Sequence, residues 1–364
     1  MEIKIQPLDT LFFRDGKPFE KGENTWADGM MLPNPTVLYG ALRTAFASAN
    51  NISFKDIFIE DNEDNEGKFL SPKDFSIQRI YYYVNDAEVL PLPLDYVEHQ
   101  KSKNIKETEK DNKFYEVHQL EMNDVKKKVI NSKDKRNNYY LLAKNKEQVE
   151  EFANGLFDVS QLENYLSNEL KSVEVHQLSD YVEPEPKIGI SRGNATKVSE
   201  DGNLFRVDMQ RSNKFQIGVS SKTIYSDFAD LIKLGGETKI ANLSIDEDSF
   251  FGIHRKIEFN NNRFKIYFSS PVILINGEPN LEKIGIVANL ITSIIGKPLN
   301  IGGFNIVENR PKTMYKVIPA GSVFYYEAEN DVSLLNDKQG ISLSDKLSEQ
   351  GFGTCYFGTW NIKE

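Results

Sequence analysis

Apolar and polar residues alternate with period two from Glu2 to Leu8, which predicts an opening strand. Phe12–Met31 breaks that pattern with glycines, prolines and polar residues, as an ordered loop does. The run Pro33-Asn34-Pro35-Thr36 stops extended structure and offers Thr36 as an N-cap, so an alanine-rich helix is expected over Val37–Ala49. Ile77–Val84, with its tyrosines at 81 to 83, reads as the next strand. From Lys101 to about Asn154 large apolar residues thin out and Lys, Asn, Glu and Asp dominate. This stretch predicts a solvent-facing charged insertion with a hairpin or partial helices, not core. Asp158–Leu170 then predicts a short helix with Leu162, Tyr165 and Leu166 at helical spacing.

A second unit begins near Tyr181. Leu204–Gln210 and Phe215–Val219 read as strands paired with each other, followed by a helix over Tyr225–Leu234. Phe264–Ile275 is strand-like and broken at Pro271. Leu281, Ile284, Val287, Ala288, Ile291 and Ile295 fall on one helical face, with Gly296 and Pro298 as a stop, which predicts a helix over Leu281–Ile295. Strands follow at Ile301–Val307, Tyr315–Ile318, Val323–Glu327 and Thr354–Trp360. Two successive strand–helix–strand units give an α+β class: two ferredoxin-like, split-βαβ domains (the RRM-like arrangement), 1–180 with the insertion at about 101–154, and 181–364.

Length supports that division, since 364 residues exceed the usual size of one core. The single cysteine, Cys355, excludes an internal disulfide and a cysteine-rich zinc site, and fits a reducing, cytoplasmic setting. The start MEIKIQPLDTLFF lacks a signal-peptide pattern, and no apolar run is long enough to span a membrane. The net charge of -10 argues mildly against nucleic-acid binding, because phosphates need local positive potential. The acid, however, is concentrated in Glu60–Glu66, Glu183–Glu185 and Asp246–Asp248, while cations recur beside glycine-rich turns, so a local basic face remains compatible with it.

Three kinds of segment could carry function. Leu11–Phe19 (LFFRDGKPF) sets Arg14 and Lys17 around a turn flanked by Phe12, Phe13 and Phe19, offering cations for phosphate and rings for bases; taken alone it reads more readily as a tight turn over core aromatics with solvated cations. Pro33–Phe46 places a helix start, Gly40 and Arg43 together, either an anion site or a plain capped helix. Glycine loops at Leu234–Glu237, Gly296–Gly303 and Gly351–Gly353 allow close main-chain approach, yet none has the spacing of a nucleotide-binding loop. Catalytic patterns are missing: His99, His118, His176 and His254 are scattered, no HExxH or GxSxG occurs, and only Asp15 and Asp28 stay on a list of acids.

In order along the chain, PLDTLFFRDGKPF, LPNPTVLYGALRTAF, VLPLPLDYV, KIGISRGNATKVSEDGNLFRV, KLGGETKIA, KPLNIGGFNIVENRPK, VIPAGSVFYYE and GFGTCYFGTW resemble the CRISPR-associated RAMP superfamily. The nearest match is the type III-B (Cmr) subunit that caps the 5′ end of the guide RNA; Lys101–Glu174 has no counterpart. The resemblance implies a non-catalytic, RNA-binding scaffold without cofactor or metal, holding the crRNA 5′ handle. It implies contact with the large polymerase-like subunit and with a backbone RAMP subunit, in antiviral defence. Candidate RNA contacts are Arg14, Lys17, Thr36, Tyr39, Gly40, Arg43, Arg192, Lys297, Gly302, Gly303, Gly351 and Gly353. A thumb hairpin of the family kind could come from Lys101–Asn154. Competing readings are a RAMP endoribonuclease using a histidine, a metal-assisted one using Asp15 or Asp28, the equivalent type III-A subunit, and a protein-only scaffold.

Overall fold

The computed structural model describes residues 1–14, 26–27, 29–52, 74–99, 105–107, 113–124, 139–143, 148–192, 199–224, 227–247, 249, 252–305 and 309–362. The described chain is mostly antiparallel sheet with few helices. Lys17, Asp15 and Asp28 lie outside the described residues, as does part of the 101–154 insertion.

The first unit is laid down by β1 (Glu2–Pro7), α1 (Pro35–Ala49), β2 (Phe75–Val84), β3 (Ala87–Pro91), β4 (Gly155–Asp158), α2 (Leu162–Leu166) and β5 (Ser172–Gln177). A ribbon of β6 (Val182–Arg192) and β7 (Ser199–Ser212) follows, and then β8 (Phe215–Thr223) and β9 (Ile240–Ile245) return to the same sheet. β8 is antiparallel to both β1 and β2, so β1 and β2 point the same way with β8 between them and α1 as their crossover. By chain position the order across β2, β8, β1 and β9 is second, third, first, fourth. Ile3, Ile5, Ile217 and Val219 alternate onto the face that Leu38, Leu42 and Phe46 of α1 cover, so strand period and helix period meet in one core. Strands from both sides of residue 180 thus share this sheet.

The second sheet uses β10 (Arg263–Phe268), β11 (Ala288–Ile294), β12 (Val323–Ala328) and β13 (Thr354–Thr359), with Ile341–Ser342 at its edge. Its order, β11-β12-β10-β13, is again second, third, first, fourth, with all neighbours antiparallel. The crossovers here are 3-10 turns at Leu281–Ile284 and Ser333–Lys338.

Several expectations are corrected. The helix over Leu281–Ile295 is one 3-10 turn followed by β11. Asn280 accepts from the Glu282 N–H to start the turn, and Gly285 at φ 78 ends it in the left-handed region. Ala288–Ile294 beyond then pairs with β12, where the β-branched Ile291, Thr292 and Ile294 suit the pleated surface. No helix occupies the described part of Tyr225–Leu234; Leu231–Lys233 is a strand on β9. Strands 204–210 and 215–219 do not pair with each other, because the chain leaves the ribbon for the large sheet at Asn213-Lys214. The helix expected over Asp158–Leu170 shortens to a 3-10 turn, Val159–Gln161, and α2. Within the insertion, Lys113–Gln119 is a sheet strand and Val117, Met122 and Phe152 are buried, so part of it is core.

The two sheets meet around a buried polar knot. Asp95, wholly buried, accepts from Gln119 Nε2 (3.0 Å), from Tyr165 OH (3.1 Å) and from Tyr325 OH (2.7 Å). Lys265 of β10 is also fully buried and sits 3.5 Å from the centroid of the Tyr165 ring, its Nζ without a hydrogen-bond partner among the described residues. Burial pushes its ammonium pKa down to about 7, with Asp95 opposing the shift.

Candidate nucleic-acid interface

Helix α1 begins two residues earlier than its sequence suggests. Pro35 takes the first helical position, where its missing N–H costs nothing, and Asn34 is the N-cap without a side-chain cap bond. Thr36 is therefore not the cap but the second helical residue. Its Oγ1 is buried and has no hydrogen-bond partner among the described residues. No acid stands in the first turn to neutralise the helix start.

A β-hairpin brings further residues to this point. Leu299–Ile301 pairs with Tyr315–Val317, Phe304–Asn305 with Arg310–Pro311, and the Lys312 N–H donates to the Gly303 carbonyl at 2.9 Å. Thr36, Gly302, Arg310, Lys312 and Gln350 line a cavity of about 300 Å³ between helix and hairpin. Arg43, two turns along α1, lies over the Tyr39 ring at 5.3 Å. Burial lowers the pKa of both Arg43 and Lys312; the Arg43 charge lowers Lys312 further, while Tyr39 and the Glu349 carboxylate favour the charged Arg43. Gln350 Oε1 is buried without a hydrogen-bond partner among the described residues, an acceptor waiting for a donor.

On the other side of Asn34-Pro35 lies a mainly apolar cleft of about 400 Å³, with exposed Lys297 on its lining. The two cavities thus bring Thr36, Lys297 and Gly302 to the start of α1, with Gly303 next to Gly302 on the hairpin and Tyr39, Gly40 and Arg43 one to two turns along the helix. Tyr39 is part of the packing: its ring stacks on Phe75 at 5.4 Å, and burial raises its hydroxyl pKa to about 12. Gly40 is exposed, and a Cβ there would meet no atom within 4 Å. Gly40→Ala is accordingly expected to stabilise the isolated chain by about 0.5–1 kcal/mol in urea unfolding. A destabilised variant would show that this face is already covered within the chain.

The remaining candidates are elsewhere. Gly351 and Gly353 are buried, at φ 91 and 75, where a Cβ would lie 2.7 Å from Ile77 and 2.5 Å from the Ser344 N, so Gly351 serves packing against the large sheet and Gly353 packing within the second unit. Gly235, at φ 77, and Gly236 lie under Phe12 and Phe13, both buried, and the Gly236 N–H donates to the Phe12 carbonyl. Those rings are core rather than base platforms. Arg14 is exposed and bridges to Gly29; Arg192 pairs with Ser199 near the far end of the ribbon. Sequence reading missed Arg310, Lys312 and Gln350. A signal existed in NRPK, cations a hairpin's width from the Gly302-Gly303 pair.

None of the four histidines lines these two cavities. The rings of His99 and His118 lie 4.6 Å apart, His176 contacts the Tyr181 hydroxyl at 3.0 Å, and the His254 N–H donates to Glu163. Among the described residues no group of three or more His, Cys, Asp or Glu is placed to hold a metal, and no helix is long and apolar enough to cross a membrane.

Comparison with known proteins places these features in context. The model of a family described as CRISPR-associated protein (Cas_Cmr3) matches residues 3–360. A subunit in a cryo-EM structure of the type III-B Cmr-beta complex bound to cognate target RNA and AMPPnP is similar in fold, with a TM-score of 0.52 at 16% identity. The match covers 98% of this chain and 96% of that one. A second structure of that complex, bound to cognate target RNA, matches with the same identity and coverage at a TM-score of 0.48. No curated protein sequence matches the chain.

Proposed function

The chain belongs to the CRISPR-associated Cas_Cmr3 family, and from that premise we propose that it is a non-catalytic, RNA-binding scaffold subunit of a type III-B effector complex, holding the 5′ handle of the guide RNA. The observation that carries this reading is the corner at the start of α1. Arg310 and Lys312 from the hairpin line the cavity with Thr36 at a helix start that has no side-chain cap bond, and Arg43, two turns along the helix, is near enough to Lys312 for its charge to be felt there. Cations and helix N–H groups suit phosphates, and the orphan Gln350 amide oxygen suits a donor such as a ribose 2′-hydroxyl. The net charge of -10 makes such local clustering necessary and leaves little attractive field elsewhere.

Both strand quartets have the order and directions of a ferredoxin-like module, which supports two such modules, the second with its helices reduced to 3-10 turns. The first would then take β8 and β9 from beyond residue 180. A family thumb has two sources: the β6–β7 ribbon, and within 101–154 the separate antiparallel pair Glu121–Asp124 with Tyr139–Leu142, the segment's other described strands being tied into the large sheet. Open Gly40 and the exposed face of α1 suit close approach of RNA or of a backbone RAMP subunit, and the large polymerase-like subunit completes the proposed set of partners.

The test is crosslinking of guide RNA in the reconstituted complex, with a parallel nuclease assay on the purified chain. Crosslinks at 36–43 and 297–312 are expected, and no cleavage of guide or target RNA with or without divalent metal. Cleavage that vanishes in Asp15→Ala, Asp28→Ala or a histidine variant would overturn the scaffold reading.

A further inference from the structure

The large sheet ends on the short strand Leu231–Lys233, which pairs with β9 on one side and with no strand on the other among the described residues. We propose that this edge accepts an extended segment of a neighbouring protein subunit as one more strand of the sheet. The proposal rests on the reading of the chain as a subunit of an effector complex, and it assigns one protein contact within that assembly.

The ladder decides which main-chain groups are left over. The Leu243 N–H donates to the Asp230 carbonyl at 2.7 Å, and the Leu234 N–H to the Lys239 carbonyl at 2.9 Å. Ile232 stands opposite Ala241 between them, so residues 230, 232 and 234 turn their main-chain groups inward. Leu231 and Lys233 therefore direct their N–H and C=O groups outward, where no described residue bonds to them.

The two faces beside that edge differ. Ile232, Leu234, Ala241 and Leu243 belong to the core that α1 covers. Alternation puts Leu231 on the other face, with Ile240 opposite Lys233 and with Leu8, whose N–H donates to the Ile240 carbonyl. These three are open to solvent: Leu8 is 60% exposed, Leu231 56% and Ile240 41%. An open edge and an open apolar patch thus adjoin, as at a protein contact.

Chemistry selects the occupant. Phosphate suits neither half, since outward carbonyls repel it and nearby cations are already matched, Lys239 by Asp9 and Arg211 by Asp9 and Glu185. A second copy of the same edge brings another Lys233 and no carboxylate among its three residues. A strand from a different protein supplies donors and acceptors together, apolar side chains for Leu8, Leu231 and Ile240, and an acid to face exposed Lys233.

The test is hydrogen exchange read amide by amide, on the full chain alone and in a complex reconstituted from the other protein subunits without RNA. In the free chain the Leu231 and Lys233 amides should exchange fast, and those of Ile232 and Leu234, already bonded, slowly. In the complex the two fast amides should slow by about tenfold or more, an alternation that docking on the face alone would not give. Leu231→Pro removes an outward donor and no bond of the sheet, so it should keep nearly the wild-type urea midpoint yet enter the complex about tenfold more weakly. Fast amides at 231 and 233 in the assembled complex overturn the proposal, whatever the stability of the variant, and so does assembly of L231P at wild-type strength. Protection that appears in a dimer of the chain by itself, or only on adding guide RNA, gives the edge to a second copy or to RNA and also overturns it. A wild-type chain that joins no such complex removes the underlying reading, and the added strand with it.

Discussion

Replacing Asp95 with alanine is expected to destabilise the chain by about 3–5 kcal/mol, because it leaves several buried groups without their shared acceptor. Tyr165, Tyr325 and Gln119 would each lose a hydrogen bond inside the protein, and Lys265 would lose the nearby charge that favours its protonated form. Lys265→Met should have the opposite sign at neutral pH and below, since it removes an ammonium held in apolar surroundings. The pH dependence follows from the depressed pKa. Between about 7, its folded value, and 10.5, its ordinary one, the unfolded chain binds the proton and the folded chain does not. Stability therefore rises with pH across that window, and the penalty is constant below it. Urea unfolding at a series of pH values should show this rise in the wild type and a flatter profile in the methionine variant. Equal slopes in the two would mean that Lys265 keeps its proton in the folded state.

The second large effect concerns RNA. Arg43→Ala with Lys312→Ala should reduce guide loading by roughly a hundredfold, since two charge-assisted hydrogen bonds to phosphate are removed together. Binding should also become less salt-sensitive, the log–log slope falling by about 1.4 for two phosphates on a single strand. Loading is measured at several salt concentrations, with assembly of the complex checked by size. A double variant that assembles and loads like the wild type would move the handle to another face.

Legibility in the sequence followed how local each cause was. Helix α1 could be read because Pro35 and the alanine-rich stretch act within a few residues. Residues 281–295 could not, since their apolar spacing suits a helix and a strand alike, and the decision came from Gly285 and from the partner strand β12, both ignored by periodicity. The glycine loops make the same point. In sequence, Gly302-Gly303, Gly351–Gly353 and Gly235-Gly236 look equivalent. In three dimensions a Cβ at Gly302 or Gly303 would find nothing closer than 3.7 Å, whereas the others are walled in by Ile77, Ser344 or Phe12. Only tertiary packing distinguishes an open loop from a filled one. Arg310 and Lys312 were missed for a related reason: the hairpin that swings them to the helix start is fixed by long-range pairing, not by neighbours in sequence.

The position of β8 has a consequence during synthesis. Residues 85–214 separate it from β2, yet it is the strand that lies between β1 and β2. At ordinary translation speeds the ribosome needs on the order of ten seconds to make that intervening stretch. Throughout that interval β1 and β2 are out of the tunnel with facing edges unpaired, and Ile3, Ile5, Ile80 and Tyr82 lack the strand that will join them. Such edges are templates for pairing with another nascent chain. Cells making this protein in quantity therefore depend on holding the first two hundred residues apart until β8 emerges, and a heterologous host short of early-acting chaperones should return it as inclusion bodies.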